Sequence, residues 1–99
     1  MHVNDAQTLV LCVLADGPLH GYAINGAIER LVGERLGTSS LYGALARLEA
    51  KQLIEPVEGQ GRQQPVRLTP RGRHELEREL RSMAHVATAG LKSLGVSPA

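Results

Sequence analysis

Aromatic residues are almost missing from this chain of 99 residues, which has two tyrosines and neither tryptophan nor phenylalanine. Any core must therefore be built from aliphatic side chains. Cys12 is the only cysteine, which excludes a disulfide within one chain and fits a reducing compartment. No apolar run approaches the roughly 20 residues of a membrane span, and the N-terminus lacks a secretion-type segment. We expect a soluble protein in the cytoplasm.

Neither sign of charge dominates, with 11 basic and 10 acidic side chains, but the charges are unevenly distributed. Residues 1–37 hold two basic and four acidic side chains, residues 38–73 hold six and three, and residues 74–99 hold three of each. A basic middle segment is typical of a phosphate-facing surface, although a solvated face reaches the same count by chance. The apolar fraction of 42% indicates one globular domain.

The first predicted helix follows Asn4, an expected N-cap with Gln7 three residues later in a variant of the capping box. Residues 9–14 are apolar on almost every face of this helix, and residues 16–18 end it. A helix that is apolar all round must be covered on more than one side. In so small a chain we expect one of the covers to be another subunit.

Two further helices are predicted over about 21–31 and 38–51, joined by a short turn that contains glycine. In the second helix the residues expected to face the core are Ile24, Ala27, Ile28 and Leu31, and those left for solvent are Asn25, Glu29 and Arg30. In the third helix the inward residues are Leu41, Leu45 and Leu48. Two helices joined in this way indicate a helix-turn-helix.

A hairpin and a long helix complete the predicted fold. The strands are expected over 53–57 and 65–68, with a glycine-containing tip at 58–62 and Pro56 and Pro65 at edge positions. Thr69 and Pro70 are a helix start signal, and we expect this fourth helix to end near Gly90. Its residues at coiled-coil-like spacing are Leu76, Leu80, Met83 and Ala87.

The third helix carries the strongest functional pattern. When its leucines face inward, the residues that point outward are Ser39, Gly43, Ala46 and Ala50, flanked by Ser40, Tyr42 and Arg47. Small residues allow close approach to a neighbouring surface, and a helix-turn-helix places the start of this helix against base edges in the major groove. The alternative is an ordinary amphipathic surface helix whose hydroxyls serve as caps.

The hairpin adds long polar side chains on or near its tip, namely Arg62, Gln63, Gln64 and Arg67. Alone, such a hairpin is more often a solvated turn. After a helix-turn-helix it becomes a candidate wing that contacts a DNA groove or backbone.

Several segments in this order resemble the PadR-type regulators of the winged helix-turn-helix superfamily. The resemblance rests on GPLHGYAI at 17–24, SLYGAL at 40–45 with RLE at 47–49, LI at 53–54 and RLTPRG at 67–72. It implies a cytoplasmic regulator, usually a repressor, that dimerises through its terminal helices and binds a palindromic operator. It also implies that Ser39, Ser40 and Tyr42 contact DNA from the third helix and that Arg62 lies in the wing.

The expected fold is mainly α, a winged helix-turn-helix with a three-helix core, a two-stranded wing and a C-terminal dimerisation helix. Residues 1–68 form the DNA-binding domain and residues 69–99 the dimerisation helix and tail. The expected DNA contacts are Thr38, Ser39, Ser40, Tyr42, Gly43, Arg47, Arg62, Gln63, Gln64 and Arg67. The expected dimer contacts are Leu9, Val13, Leu76, Leu80, Met83 and Ala87.

The chain departs from the family pattern in two places. Family members often have aromatic residues on the returning wing strand, where this chain has Pro65 and Val66, so the wing is expected to be shorter or differently twisted. Some members bind flat aromatic drugs between tryptophans at the dimer interface, and a chain without tryptophan does not fit that kind of sensing. Whether a small-molecule effector exists stays open.

Other reactive side chains have ordinary interpretations. His20 is expected to make a local hydrogen bond at the second helix, Tyr22 to pack near the turn, and Cys12 to be a buried small hydrophobe. His74 and His85 lie eleven residues apart, about 16 Å along one helix, too far to share a metal ion within one chain. Without a nucleophile–base pair, a phosphate loop or a ligand cluster, we expect neither an enzyme nor a metal or cofactor.

The sequence therefore predicts a sequence-specific regulator that binds double-stranded DNA as a homodimer, most often to repress transcription. The alternative is a winged-helix module that binds another protein and has lost its DNA surface, because a fold alone does not determine a function. The basic segment 38–73 and the small polar face of the third helix favour DNA.

Overall fold

A computed structural model describes residues 5–58 and 64–97 of the chain, and over this part the element order is as predicted. The elements are α1 (Ala6–Val13), α2 (Gly21–Val32), α3 (Thr38–Ala50), β1 (Ile54–Pro56), β2 (Val66–Leu68) and α4 (Pro70–Ser93). A short 3-10 turn, Leu14–Asp16, continues α1. The mainly helical fold with a two-stranded hairpin and a long C-terminal helix is confirmed. Most of the predicted hairpin tip lies outside the described residues.

The first helix starts one residue later than predicted. Its N-cap is Asp5 and not Asn4: the Asp5 Oδ1 accepts a hydrogen bond from the Thr8 backbone N–H at 2.9 Å. Gln7 makes no capping box, because its Oε1 instead accepts a hydrogen bond from Lys51 Nζ at 2.7 Å. Asn4 and Asp5 both have a side-chain oxygen suited to an N-cap, and the second of them is used.

Asn25 was predicted to face solvent, and that prediction is wrong. The side chain is 9% exposed, and its amide makes two hydrogen bonds of 2.8 Å with the backbone of Leu36, one donated by Nδ2 and one accepted by Oδ1. This pairing fixes the turn between α2 and α3. Leu31 was predicted to face the core, and that prediction is also wrong. The residue is 57% exposed, because the last turn of α2 extends beyond the core.

The buried stripe of α3 is centred on Leu41, Ala44 and Leu48. Leu45, which was predicted to be part of the stripe, is half-buried at its edge. The helix ends in a Schellman motif, in which Leu53 N–H donates to the Leu48 carbonyl and Gln52 N–H to that of Glu49. The backbone of Gln52 adopts the left-handed region in this turn, with φ 63°, a conformation that glycine more often adopts.

The hairpin is tied to the helix-turn-helix on one side. β1 pairs with β2 in antiparallel register, with Ile54 opposite Leu68 and Pro56 opposite Val66. On its other side, Val66 makes two backbone hydrogen bonds of 3.0 and 3.1 Å with Leu19, which lies in the segment before α2. These bonds hold the base of the hairpin beside the first helix of the pair.

The start of α4 matches the sequence signal, whereas its end does not. Thr69 is the N-cap and accepts a hydrogen bond from Gly72 N–H at 2.9 Å, with Pro70 as the first helical residue. The helix continues through Gly90, the predicted stop, to Ser93. A single glycine costs a helix only about 1 kcal/mol, which is too little to end it. The end comes instead at Gly95, which has φ 75° in a second Schellman motif.

The core is aliphatic, as the scarcity of aromatic residues predicts. It lies between α1, α2, α3, the hairpin and the first turns of α4. Its largest fully buried side chains are Val10, Leu14, Ile24, Ile28, Leu48 and Ile54. Packing of α3 against these elements determines which of its faces is exposed to solvent.

Candidate nucleic-acid interface

The outer face of α3 is small and exposed, opposite its buried stripe. Ser39, Ala46 and Ala50 are exposed and Gly43 is half-buried. No side chain longer than a hydroxymethyl group rises from the centre of this face. A helix with such a surface can approach a neighbouring groove closely along its whole length.

The hydroxyls at the start of α3 are not used as caps. The N-cap is Gly37, which has no side chain to accept a hydrogen bond, and Thr38, Ser39 and Ser40 follow it as exposed residues of the first turn. The capping alternative is therefore wrong for this helix. Because the first backbone N–H groups of a helix lack partners within it, this end combines free N–H groups with three hydroxyls. Such an arrangement suits phosphate or the edges of bases.

Two larger side chains flank the outer face on opposite sides. Tyr42 lies on the side of α2, is 55% exposed, and packs on Gly21 so closely that its Oη would lie 3.1 Å from a Cβ at that position. Arg47 lies on the other side, with its Nη1 about 3.3 Å from where a Gly43 Cβ would be. An aromatic hydroxyl and a guanidinium thus border a flat helix surface.

A cleft of about 580 Å³ opens beside this face, between α1, α3 and α4. Ser40 and Arg47 line it from α3, together with Lys51, Arg71 and the carboxylates of Asp5, Glu75 and Glu79. Ser40 therefore points towards the α1 side of the helix and less directly outward than Ser39. Of the predicted contact residues, Ser39, Gly43, Tyr42 and Arg47 share the outer face and its borders.

The structure describes two of the four polar residues predicted in the wing. Gln64 is exposed before β2. Arg67 is exposed on β2, where its Nε donates to Glu55 Oε2 at 3.0 Å, so its charge is partly balanced by a neighbour on β1. Arg62 and Gln63 lie outside the described residues, and their predicted contacts stay predictions.

The predicted dimer residues fall into two groups. Leu9 and Leu76 are only 6% and 4% exposed, because they already pack in the core of their own chain, and they have little surface left for a partner. Val13 and Met83 are half-buried, while Leu80 is 41% exposed and Ala87 is exposed on α4. The surface available to a second subunit is therefore the outer part of α4 with the end of α1.

The remaining histidines and the cysteine in the described part of the chain form no catalytic or metal-binding site. His20 occupies the N-cap position of α2 without a side-chain capping bond, and His74 and His85 are exposed. Cys12 is half-buried, and burial raises the pKa of its thiol, which favours the unreactive neutral form. Among residues 5–58 and 64–97, no group of three potential ligands is placed to hold a metal ion.

Two positions of the interface were not predicted from the sequence. Asn25 holds the turn before α3, and Gly21 provides the flat surface on which Tyr42 lies. Tyr22 was predicted to pack near the turn, yet it is 76% exposed and carries the Arg35 guanidinium 5.6 Å from its ring centroid. An asparagine beside the apolar Ile24 and Ile28 in the middle of a helix was the signal that could have indicated the first of these.

Comparison with known proteins assigns the family. The family model of the PadR-like transcriptional regulators matches residues 10–78, which is most of the chain. The chain belongs to the PadR-like family of transcriptional regulators. The family is one of transcriptional regulators and not of enzymes.

Solved structures of transcriptional regulators share the fold. A transcriptional regulator from Clostridium thermocellum superimposes with a TM-score of 0.78 at 26% identity, covering 88% of this chain and 87% of that one. A PadR family regulator from Clostridium difficile gives a TM-score of 0.76 at 26% identity, covering 90% and 97%. Each alignment covers most of both chains.

One relative is much more similar in sequence. A 37.1 kDa protein in transposon TN4556 of Streptomyces fradiae is 69% identical over 87 residues. The match covers 88% of this chain but only 25% of that protein, so the chain spans about a quarter of its relative's length. Within the described part of the chain, no helix is long and apolar enough to cross a membrane.

Proposed function

We propose that this PadR-like chain binds double-stranded DNA sequence-specifically as a homodimer, on a palindromic operator, and represses transcription there. The observation that carries the proposal is the outer face of α3, which is small, exposed and bordered by Tyr42 and Arg47. Such a face fits into a major groove, about 12 Å wide, and places Ser39 near base edges. A regulator of this kind acts where the chromosome is, in the cytoplasm.

The charge distribution supports a nucleic-acid partner. Exposed basic residues cluster on α3, β2 and the start of α4: Arg47, Lys51, Arg67, Arg71 and Arg73. Phosphate contacts from such side chains supply most of the sequence-independent part of DNA affinity. A winged-helix module for protein partners has no need of this bias around a flat, hydroxyl-bearing helix.

The exposed part of α4 supports a dimer. Leu80, Met83, Ala87 and Leu94 recur at spacings of three, four and seven residues, and Leu80 and Leu94 are 41% and 77% exposed. A two-fold axis that pairs this seam with itself covers apolar surface that one chain leaves in water. The same axis presents two copies of α3 to half-sites about 34–36 Å apart on one face of the duplex.

Contacts from the two DNA-facing elements are expected to differ in kind. Ser39, Tyr42 and Gly43 lie on or beside the part of α3 that enters the groove, where sequence is discriminated. Arg62 lies in the wing by sequence, where a long side chain most easily meets phosphate or the minor groove. An Arg62→Ala change should weaken binding to operator and to random duplex by similar factors, whereas changes at Ser39 should cost operator binding more.

Selection of bound duplexes from a random pool, followed by sequencing, tests the proposal. The expected result is a palindromic consensus whose half-site centres are about one helical turn apart. A single asymmetric half-site would refute the homodimeric mode, and absence of any enriched duplex would favour the protein-binding alternative. Repression is tested by placing the selected operator over the promoter of a reporter, whose output should fall when the chain is expressed.

A further inference from the structure

Two guanidinium groups converge over one glycine on the outer face of α2. Arg30 Nη1 and Arg35 Nη2 lie 3.6 and 3.9 Å from the position that a Cβ of Gly26 would take, and the Arg35 guanidinium stacks over Tyr22. Because side chains on a helix point back towards its N-terminus, Arg30 reaches over the turn that contains Gly26. We call Tyr22, Gly26, Arg30 and Arg35 the α2 arginine cluster.

Only one guanidinium of the α2 arginine cluster is paired with a carboxylate in the described part of the chain. Glu29 is its carboxylate partner, with Oε1 3.2 Å from Arg35 Nε. Arg30 makes no ion pair or hydrogen bond with any side chain that the structure describes. With Glu29 paired to Arg35, the Arg30 guanidinium is left to pair with an external anion, and its single charge matches that of one phosphodiester.

Gly26 leaves this surface open. A Cβ here would make ordinary contacts with the two guanidinium groups, so packing within the chain does not require glycine. In a helix interior glycine costs about 1 kcal/mol relative to alanine. The absence of a side chain lets a ligand approach the helix surface between Arg30 and Arg35.

The cluster adjoins the candidate interface. Tyr22 follows Gly21, on which Tyr42 of α3 packs, and Arg35 lies two residues before Gly37, the N-cap of α3. The chain's two aromatic side chains are thus both exposed at the junction of α2 and α3. When α3 occupies a major groove, the sugar-phosphate backbone on the α2 side of that groove passes this junction.

We propose that the α2 arginine cluster binds a backbone phosphate on the α2 side of the major groove that α3 enters. The inference rests on the proposed DNA-binding function and adds a contact outside α3 and the wing. Guanidinium groups suit the site because they donate in a planar fork to phosphate oxygens, and Tyr22 holds one of them in place. The contact positions the protein and carries no sequence information of its own.

The test is the affinity of Arg30→Ala for the selected operator and for a scrambled duplex across a salt series. Each phosphate contact changes the slope of log K against log salt by about 0.9, so losing one should weaken binding roughly eightfold at about 0.1 M salt and hardly at all near 1 M. Both duplexes should be affected alike. The matched control is Arg78→Ala, which removes the same charge from the exposed face of α4.

A second variant is expected to strengthen DNA binding instead of weakening it. Glu29→Gln removes the carboxylate that competes with phosphate for Arg35, so it should strengthen binding to both duplexes by a few-fold while the wild-type slope is kept or increased. If Arg30→Ala melts normally and retains the wild-type affinity and slope, the cluster does not contact DNA and an acidic protein becomes its better partner. If the wild type binds the operator but Arg30→Ala does not weaken binding, the phosphate contact is refuted and the proposed function stands. If the wild type binds no duplex, both the phosphate contact and the proposed function are refuted.

Discussion

At the scale of single residues, glycines determine how closely segments approach one another. Gly72, in the first turn of α4, packs directly on the backbone of Leu53, and a Cβ at this position would overlap the Leu53 carbonyl. That carbonyl also accepts the hydrogen bond of Thr69 N–H at 3.1 Å, so it is not free to move away. Gly90, further along the same helix, has open space around it within the chain.

Gly72→Ala is therefore expected to lower the free energy of unfolding by about 1–3 kcal/mol, because backbone must shift to accept the methyl group. Gly90→Ala is the matched control, and it should leave stability unchanged or raise it by about 0.5–1 kcal/mol through helix propensity. Both are measured by chemical denaturation at one protein concentration. Equal stability of Gly72→Ala and wild type would contradict the tight junction of α4 with the end of α3.

At the scale of elements, structure is predictable from sequence where the signal is local, and it is not where the partners lie far apart in the chain. Helix starts with local signals were predictable, as at Thr69 and Pro70, since the cap and the helix are neighbours in sequence. The burial of Asn25 was not, because its partner Leu36 lies eleven residues away across the turn. Helical periodicity alone placed Asn25 on the wet face.

Periodicity also failed at the edges of elements. Leu31 is apolar and in phase with Ile24 and Ile28, yet it is exposed because α2 outruns the core at that end. Gly90 has the residue type of a helix stop, but α4 continues past it to Ser93 and is followed by Gly95 in the left-handed region. The inward positions of Leu41 and Leu48 were predicted correctly, whereas Leu45 is half-buried at the edge of the stripe and Ala44, which was not predicted, is buried within it.

Loss of the two hydrogen bonds of Asn25 is expected to destabilise the fold strongly. Asn25→Ala leaves the N–H and the carbonyl of Leu36 without their partner, and we expect the free energy of unfolding to fall by about 2–3 kcal/mol. Glu34→Ala is the control, because Glu34 is an exposed residue of the same turn and its change should cost less than about 0.5 kcal/mol. Denaturation midpoints that do not differ between the two would show that Asn25 does not hold the turn.

At the scale of the whole molecule, the proposed DNA-binding mode requires two copies of the chain. The outer half of α4 projects from the core, and the long dimension of the chain is 53 Å against 26 and 20 Å for the others. Association of two chains would bury the apolar seam of this projecting helix, which a single chain leaves exposed to water. Because Leu80 is 41% exposed in one chain, its replacement should disturb assembly more than folding.

Leu80→Asp is expected to give folded monomers, since a charge at the centre of a two-fold seam would be buried without a partner. Ser82→Asp adds the same charge two residues later, about half a helical turn away, and should leave the dimer intact. Sedimentation at micromolar concentration distinguishes the two. A monomeric wild type, or a dimeric Leu80→Asp, would contradict the proposed interface.

The most direct measurement of the central claim is the affinity of Gly43→Leu for the selected operator. The substitution adds bulk to the outer face of α3, favours the helix by propensity, and displaces only the flexible end of Arg47. Ala50→Leu is the control, because it adds a similar side chain to the same face at the far end of the helix. We expect Gly43→Leu to melt at or above the wild-type temperature and to lose operator binding at least tenfold, while Ala50→Leu loses much less. A Gly43→Leu variant that is folded and binds the operator as tightly as wild type would show that α3 does not enter the groove.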